Sequence, residues 1–600
     1  MATRLAGLRF GPWLGWLALV FAFVLPAVLS WQRWTDPLVD VGRQPYVAWR
    51  ILEGDRLYLD IAHVFGPLAA HVQAAVMALS SVSLASLAGF HLFLIACFAL
   101  QLRGFFGWLG GPSAGLGAAM SFLLLCAFPQ YIFQANYNFV TPYSADLVYG
   151  LMLAMLCLSL VLRCDAGTAA PWRWVAAGAC LGLVVLGKPE VCVALLAALL
   201  VAMLRAPQVA RNTGLLWGAA LATLLLAFLA FLPTHGAAGA LHAVFAAFAP
   251  VGSMGASGEA FYRWVSGFDA PWQHLQRAVA EFGVVLLFAA AGMGLERLAR
   301  GSRHAALALA TVLLVSLPAV LLYPPVQVAV VQQGLAFLPL ALLAVMVVIL
   351  RARHPQTPRP QADAWLVLAV FALAMLLKIL LAARLFHYGF ALAMPAVVLF
   401  FAWLLAGCRR EDTAWWWRRL PLFALVLGLT LAHLNTSREH YAQRTLDLKA
   451  AGDRLRVFRE GKDVRGPLVQ AFLEWQKTAI SPQATVLVLP DAAMLNFLSR
   501  HAAGTRYYAL PAPELAFHGE QAVLASLAAA PPDVVVLVDQ SSALLGRFGE
   551  PGYGAEILGW VGANYTPLVL FGEEPLAGKG FGIGVLAHKI RTGAAVAEQR

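Results

Sequence analysis

The sequence predicts a multi-pass α-helical membrane protein with about thirteen transmembrane helices, interfacial helices in its first outer loop, and a C-terminal soluble α/β domain. Three observations carry this. Of 600 residues, 61% are hydrophobic and only 12% charged, far outside the balance of a soluble chain. The apolar residues gather into stretches long enough to cross ~30 Å of hydrocarbon at ~1.5 Å per residue. The arginines fall in alternate connections between those stretches, as the positive-inside rule requires.

In chain order the predicted spans are residues 13–31, 83–102, 112–129, 144–162, 173–187, 189–204, 213–233, 279–296, 305–323, 326–350, 363–382, 388–407 and 415–434. The first follows Arg4 and Arg9. It is long, ends in bulky residues and lacks a small-residue cleavage pattern, so it reads as an anchor and not a signal peptide.

With the N-terminus inside, the connections expected in the cytoplasm carry Arg103; Arg163 and Arg173; Arg205 and Arg211; Arg297, Arg300 and Arg303; Arg351, Arg353 and Arg359; and Arg409, Arg410, Arg418 and Arg419. An odd number of spans then puts segment 32–82 and the C-terminal domain outside. The net charge of +11 is accounted for by these loops, and nucleic-acid binding is not indicated. All seven cysteines lie at or before position 408, in or beside apolar runs, with no metal-type spacing.

The expected division is a transmembrane domain over 1–435, with its first outer loop at 32–82, and an outer domain over 436–600. In the first loop, Pro45 and Gly54 bracket a short helix over Tyr46 to Glu53. Gly66-Pro67 opens a second helix, whose Leu68, Val72, Val76 and Leu79 form one apolar stripe suited to lying on lipid. Residues 234–277 form the longest outer connection. Its run from Gly252 to Gly258 and its aromatics Phe261, Tyr262, Trp264, Phe268 and Trp272 suit a lid, or equally an interfacial aromatic belt. After the last span, 436–480 reads as helical. Strands follow at 486–490 and 533–539, helices at 491–500 and 520–529, and late strands at 565–572 and 581–587. No Gly-rich phosphate loop follows a strand, so nucleotide binding is not assigned there.

Ionisable groups at membrane depth or at its edge mark pathways and sites. The first loop concentrates Asp36, Asp40, Glu53, Asp55 and Asp60 with Arg43, Arg50, Arg56 and His63. Lys188 and Glu190 in GKPE, Arg263, Lys378 near the end of its span, and Arg384 and His387 in ARLFHYGF fall on the same outer side. Acids and bases together at head-group depth suit transfer of a sugar from a lipid phosphate to a hydroxyl. A cation neutralises the leaving phosphate and a carboxylate accepts the hydroxyl proton. Phosphate leaves readily, so no paired general acid is demanded.

The run D-P-L-V-D-V-G-R-Q-P-Y-V-A-W-R-I-L-E-G-D-R-L-Y-L-D-I from Asp36 to Ile61, with G-P-L at 66–68, resembles the bacterial protein O-mannosyltransferase-like glycosyltransferases of the GT-C superfamily. The resemblance extends through N-F-V-T-P-Y-S (138–144), K-P-E (188–190), H-Y-G-F (387–390), V-L-P-D (488–491) and N-F-L-S-R (496–500), nearly the whole chain. It implies a GT-C-like fold in a bacterial inner membrane, a polyprenyl-phosphate sugar donor, inversion at the anomeric carbon, and a first-loop aspartate as base. That role falls on Asp40. The family pattern commonly has an acidic pair here, whereas Val41 follows Asp40, so a divalent cation is a possibility and not a requirement.

The expected catalytic residues are therefore Asp40, with Asp36 and Asp60 as further candidates, and the donor's phosphate and sugar are assigned to Lys188, Arg384, His387 and Glu190. Each has a structural reading beside it. Asp40 suits an ion pair with Arg43 or a helix cap, Asp36 a turn before Pro37, Asp60 a cap, Lys188 a snorkelling anchor paired with Glu190, and Arg384 an interfacial anchor. His63 is a contact candidate for acceptor or metal, and Asn136, Asn138 and Tyr143 are weaker sugar contacts. Arg500, His501 and Arg506 are acceptor candidates, with a solvated face as the alternative. The acceptor is a glycan, lipid or protein hydroxyl. The competing classes are a protein O-mannosyltransferase proper, a lipid-linked glycan transporter, and an envelope scaffold without catalysis.

Overall fold

A computed structural model of the chain describes residues 12–163, 170–205, 210, 212–251, 259–351, 360–407, 412–539 and 544–590. The run Gly252 to Gly258, and Arg4, Arg9, Arg211, Arg353, Arg359, Arg409, Arg410, Cys164 and Cys408, lie outside these residues.

The membrane part begins with α1 (Pro12–Leu29). The first outer loop carries α2 (Arg43–Leu52) and α3 (Pro67–Leu79). There follow α4 (Leu84–Gly110), α5 (Pro112–Phe122), α6 (Ala145–Leu162), α7 (Pro171–Val185), α8 (Pro189–Arg205) and α9 (Thr213–Phe245). After the short α10 (Glu259–Ser266) come α11 (Pro271–Gly301), α12 (Arg303–Leu321), α13 (Pro324–Gln333), α14 (Leu338–Arg351), α15 (Pro360–Leu376), α16 (Met394–Leu405) and α17 (Thr413–Ala442). Each of the thirteen predicted stretches lies on one or more of these helices. Among the described residues seven helices are long and apolar enough to cross a membrane, or eight if α13 and α14, bent by 58°, make one span. The others, including Trp13–Leu29, Pro112–Ala127, Pro171–Val185 and Met394–Leu405, are apolar but shorter. Prolines at their first turns set where these short helices begin.

The core of this part is built on α4 to α8 with α15 and α16. Helices α9 and α12 instead expose leucines and valines, including Leu225, Leu226, Val312 and Val315, as a lipid-facing surface does. The 234–277 connection is largely helical: α9 bends at Gly236 and continues to Phe245, and α10 follows. In α3 the expected stripe is partly or fully exposed, while Ala69, Ala70, Gln73, Ala74 and Met77 form the packed face.

Two corrections concern the outer domain. Helix α17 runs through position 435 to Ala442, so no break falls at the expected boundary. The following stretch is not helical throughout: β1 (Arg444–Ala450) and β2 (Asp453–Phe458) form an antiparallel hairpin before α18 (Arg465–Ala479). In β2 Leu455 and Val457 alternate with charged residues, and Leu448 and Leu446 face them from β1. This period of two overrides the helix preference of the charged residues between them.

Beyond the hairpin, the predicted α/β order is present as β3 (Val486–Leu489), α19 (Ala493–Ser499), α20 (Ala512–His518), α21 (Glu520–Ala529), β4 (Val534–Val538), α22 (Ala555–Asn564), β5 (Tyr565–Gly572) and β6 (Gly582–His588). The sheet order is β3-β4-β6-β5, with β3 and β4 parallel and the other pairs antiparallel. One hydrophobic core joins this domain to the first loop. Leu38, Val41, Tyr46, Val47 and Trp49 share it with Leu487, Val488, Met494 and Phe497. The outer domain therefore sits on the loop that carries Asp40.

Candidate active site at the outer face

The site is framed by segment 130–143. Asn138 Oδ1 accepts the backbone N–H groups of Val140 (3.0 Å) and Thr141 (2.8 Å), and its amide donates to Gln130. Asn136 Oδ1 accepts the Asp36 N–H at 2.9 Å, and its amide donates to the Trp34 carbonyl and the Thr141 hydroxyl. Both asparagines are fully buried with both ends of the amide in use, so they brace the loop and are not sugar contacts.

Asp36 is likewise saturated. Its Oδ1 accepts from Leu38 and Val39 N–H (3.0 and 2.9 Å), and its two oxygens face Arg465 at 3.2 and 3.0 Å. Burial opposes its ionisation, but Arg465 and the backbone donors outweigh that and hold its carboxyl below the usual range. Both of its oxygens are thus engaged, and it ties the first loop to Arg465 and to the Ala135 N–H.

Asp40 differs in each respect. Its backbone is left-handed (φ 65°), and its side chain is half-buried. Among the described residues its carboxylate accepts no hydrogen bond. It does not cap α2, whose cap is Gly42. The Asp40 carbonyl accepts the Arg43 N–H at 3.5 Å, but its carboxylate does not meet the Arg43 guanidinium, which turns to Asp491 and to Glu514 (2.6 Å) of the outer domain. Burial, opposed by Arg43 and reinforced by Asp491, Asp36 and Glu514, raises the Asp40 carboxyl to about 7. Asp40 is thus neither the cap of α2 nor in side-chain contact with Arg43, whose charge still reaches it.

Around it stands an aromatic wall. The charge of Asp40 reaches Tyr137, Tyr143 and Tyr388. Tyr137 shares a hydrogen bond of 2.8 Å with His387 Nε2. His387 also has a left-handed backbone (φ 60°), and Phe261 and Trp264 of α10 pack edge-on to its ring at 5.7 and 5.4 Å. Burial, with the charges of Arg384 and Lys378, pushes its imidazole down to about 3, so it is neutral near pH 7, and its Nδ1 finds no partner. Gly389 permits this turn: a Cβ there would lie 1.6 Å from the Arg384 carbonyl oxygen.

The cations complete the site. Lys188, between α7 and α8, is buried, its Nζ 4.2 Å from the centre of the Phe65 ring. The adjacent turn is tied to the first loop by the Leu68 N–H on the Leu186 carbonyl. Arg384 is buried over Trp264 at 4.6 Å. Among the described residues neither Lys188 nor Arg384 makes a hydrogen bond or an ion pair through its side chain. Glu190, expected at the donor, is in an ion pair with Lys378 at 2.5 Å. The pair stays next to the site, since Lys188 lies within electrostatic reach of both.

Other candidates fall elsewhere. Asp60 is half-buried and paired with Arg56 four positions earlier (2.7 Å), and the hydrogen bond from Arg56 holds its carboxyl at about 2. His63 is buried against the Tyr508 hydroxyl at 3.3 Å. His501 is buried and bonded to Ala484 and Gln476, not solvated. Arg500 and Arg506 donate to the carbonyls of Val82 and Tyr58, so they dock the outer domain on the first loop. Arg263 donates to the Phe268 carbonyl at 3.4 Å.

Sequence reasoning missed Tyr137, Tyr388, Asp491 and Glu514. The first three lie beside or within motifs already singled out; Glu514 has no local signal. For a divalent cation, no group of three His, Cys, Asp or Glu side chains converges among the described residues. Val41, which follows Asp40, is buried in the core shared with the outer domain.

No protein-family model matches the sequence, and no curated protein is significantly similar to it. Among solved structures, the chain is similar to the archaeal oligosaccharyltransferase AglB from Archaeoglobus fulgidus in complex with an inhibitory peptide and a dolichol-phosphate. The TM-score is 0.47 at 13% identity, over 95% of this chain and 74% of that one. It is also similar to ArnT from Cupriavidus metallidurans bound to undecaprenyl phosphate, with a TM-score of 0.42 at 15% identity, over 95% of this chain and 97% of that one.

Proposed function

We propose that the protein is a membrane glycosyltransferase that takes a sugar from a polyprenyl-phosphate donor and passes it to a hydroxyl of a cell-envelope glycan, lipid or protein. The site faces the periplasm, with the N-terminus in the cytoplasm. The observation that carries this reading is a carboxylate, Asp40, that accepts no hydrogen bond among the described residues, together with two buried cations, Lys188 and Arg384, whose side chains make no hydrogen bond or ion pair there, the acids Asp146, Glu190 and Asp269 acting on them only at longer range. Buried charges are rarely left unmatched unless a ligand completes them. An anionic phosphodiester held by a lipid tail at head-group depth meets that need.

In the proposed reaction, Asp40 accepts the proton of the acceptor hydroxyl as its oxygen forms a bond to the anomeric carbon. The bond from that carbon to the phosphate oxygen breaks, and the electron pair leaves with the polyprenyl phosphate. Lys188 and Arg384 stabilise the negative charge that grows on the departing phosphate. Attack opposite the leaving group inverts the anomeric carbon. The Tyr137–His387 pair and the aromatics of α10 wall the sugar off from water. A carboxyl near 7 suits a base, since it is half ionised at working pH and still basic enough to take a proton.

The test is transfer from purified polyprenyl-phosphate sugars to envelope acceptors by wild-type protein and by Asp40→Asn. Transfer by the wild type alone supports the reading. Equal transfer by both removes Asp40 from the mechanism, and none by either removes the function.

A further inference from the structure

The Arg43 guanidinium lies three residues from the proposed base, yet none of its donors serves that base. Its Nε lies 3.2 Å from both oxygens of Asp491, its Nη2 also meets Asp491, and its Nη1 meets Glu514 at 2.6 Å. Both carboxylates belong to the outer domain, Asp491 just after β3 and Glu514 in α20, and both are buried. The loop is pressed against this domain closely enough that a Cβ at Gly42 would lie 2.1 Å from the Met494 backbone nitrogen. One cation is therefore shared by two buried carboxyl groups from outside the membrane part, and the third carboxyl near it, Asp40, accepts no hydrogen bond among the described residues.

We propose that Asp491 and Glu514 are positioning residues of the outer domain: by holding Arg43 off Asp40 they keep that carboxylate free and basic. If the outer domain did not supply them, the Arg43 fork would turn to the nearest carboxylate, Asp40, and a bidentate arginine would hold it ionised and weakly basic. The outer domain is in this way part of the active centre. The inference rests on the glycosyltransferase reading for its consequence in catalysis, but its electrostatic content is measurable without it.

The groups facing Asp40 are Arg43, Asp491, Glu514 and Asp36, with Tyr137, Tyr143 and Tyr388 on the membrane side. Removing a negative charge among them lowers the basicity of Asp40, and removing Arg43 raises it. The experiment measures kcat/KM against pH for wild type, Glu514→Gln, Asp491→Asn and Arg43→Gln. In parallel, the Asp40 carboxyl is titrated by infrared difference spectroscopy, with its band identified by its loss in Asp40→Asn. The Gln and Asn variants keep the size of the side chains they replace, and the spectroscopic titration needs folded protein but no activity.

The expected result is an acid limb, and an infrared titration, moved to lower pH by about one unit in Glu514→Gln and Asp491→Asn, and to higher pH in Arg43→Gln. Variants that lose rate with both titrations unmoved would show a merely structural contact and overturn the proposal. If wild type transfers no sugar but the Asp40 band still shifts with these signs, the electrostatic clamp stands and the glycosyltransferase reading falls.

Discussion

Asp36 and Asp40 stand four residues apart on one loop and have opposite fates. Asp36 is 1% exposed, with both oxygens occupied by Arg465 and by backbone N–H groups. Asp40 is half-buried, held in a left-handed turn, and among the described residues its carboxylate meets no donor. The first has its carboxyl lowered and the second raised to about 7. The contrast teaches that burial alone says little about an acid: what decides is whether the surrounding chain fills its lone pairs. The left-handed turn at Asp40 is closed by the Val41 N–H on the Val39 carbonyl at 2.9 Å, and such a conformation is consistent with a site where geometry serves a ligand.

The largest effect should separate the two directly. Asp40→Asn should lower kcat/KM by about 10²–10⁴-fold, the usual reach of a general base, with an unchanged melting temperature. Asp36→Asn should do the reverse. Breaking its buried pair with Arg465 should cost about 3 kcal/mol of stability, at the lower end for such a loss because Asp463 still faces Arg465 at 2.6 Å. Denaturant unfolding checks this, and activity per folded molecule should persist. If Asp36→Asn stays stable but inactive, the distinction fails.

Smaller effects sharpen the same comparison on the cationic side. Lys188→Ala and Arg384→Ala should each raise the KM for donor by about 10–100-fold, the worth of a charged hydrogen bond, with less change in kcat. An unchanged KM would return that residue to anchoring.

The pH profile follows from Asp40 at about 7. A base works only when deprotonated, so kcat/KM should rise through that value to a plateau, and at one unit below it should be about tenfold under the plateau. A profile flat from pH 5 to 8 would deny Asp40 the role. Smallest of all, Asp60→Asn should change stability by about half a kcal/mol or less, because its pair with Arg56 is on the surface and screened.

Much of this was legible along the chain. Strand β4 and helix α21 stand out because apolar runs and their flanks signal them locally, whereas the β1–β2 hairpin was hidden by charged residues that favour a helix. Lys188 and Arg384 were readable as costly charges beside apolar spans. Asp40 was preferred among five acids through the family resemblance, and the fold adds that Asp36 and Asp60 are taken up by Arg465 and Arg56.

The sequence by itself determined the membrane-spanning character, the order of the α/β elements, and the collection of charge on the segments that meet at one face. Those features depend on local hydrophobicity and period, which each segment carries alone. The tertiary structure decided which charges are matched. Arg43 finds Asp491 and Glu514 from 448 and 471 residues away, Asp36 finds Arg465, and Glu190 finds Lys378. Whether a carboxylate is an anchor or a base depends on partners that only the folded chain brings within about 3 Å of it.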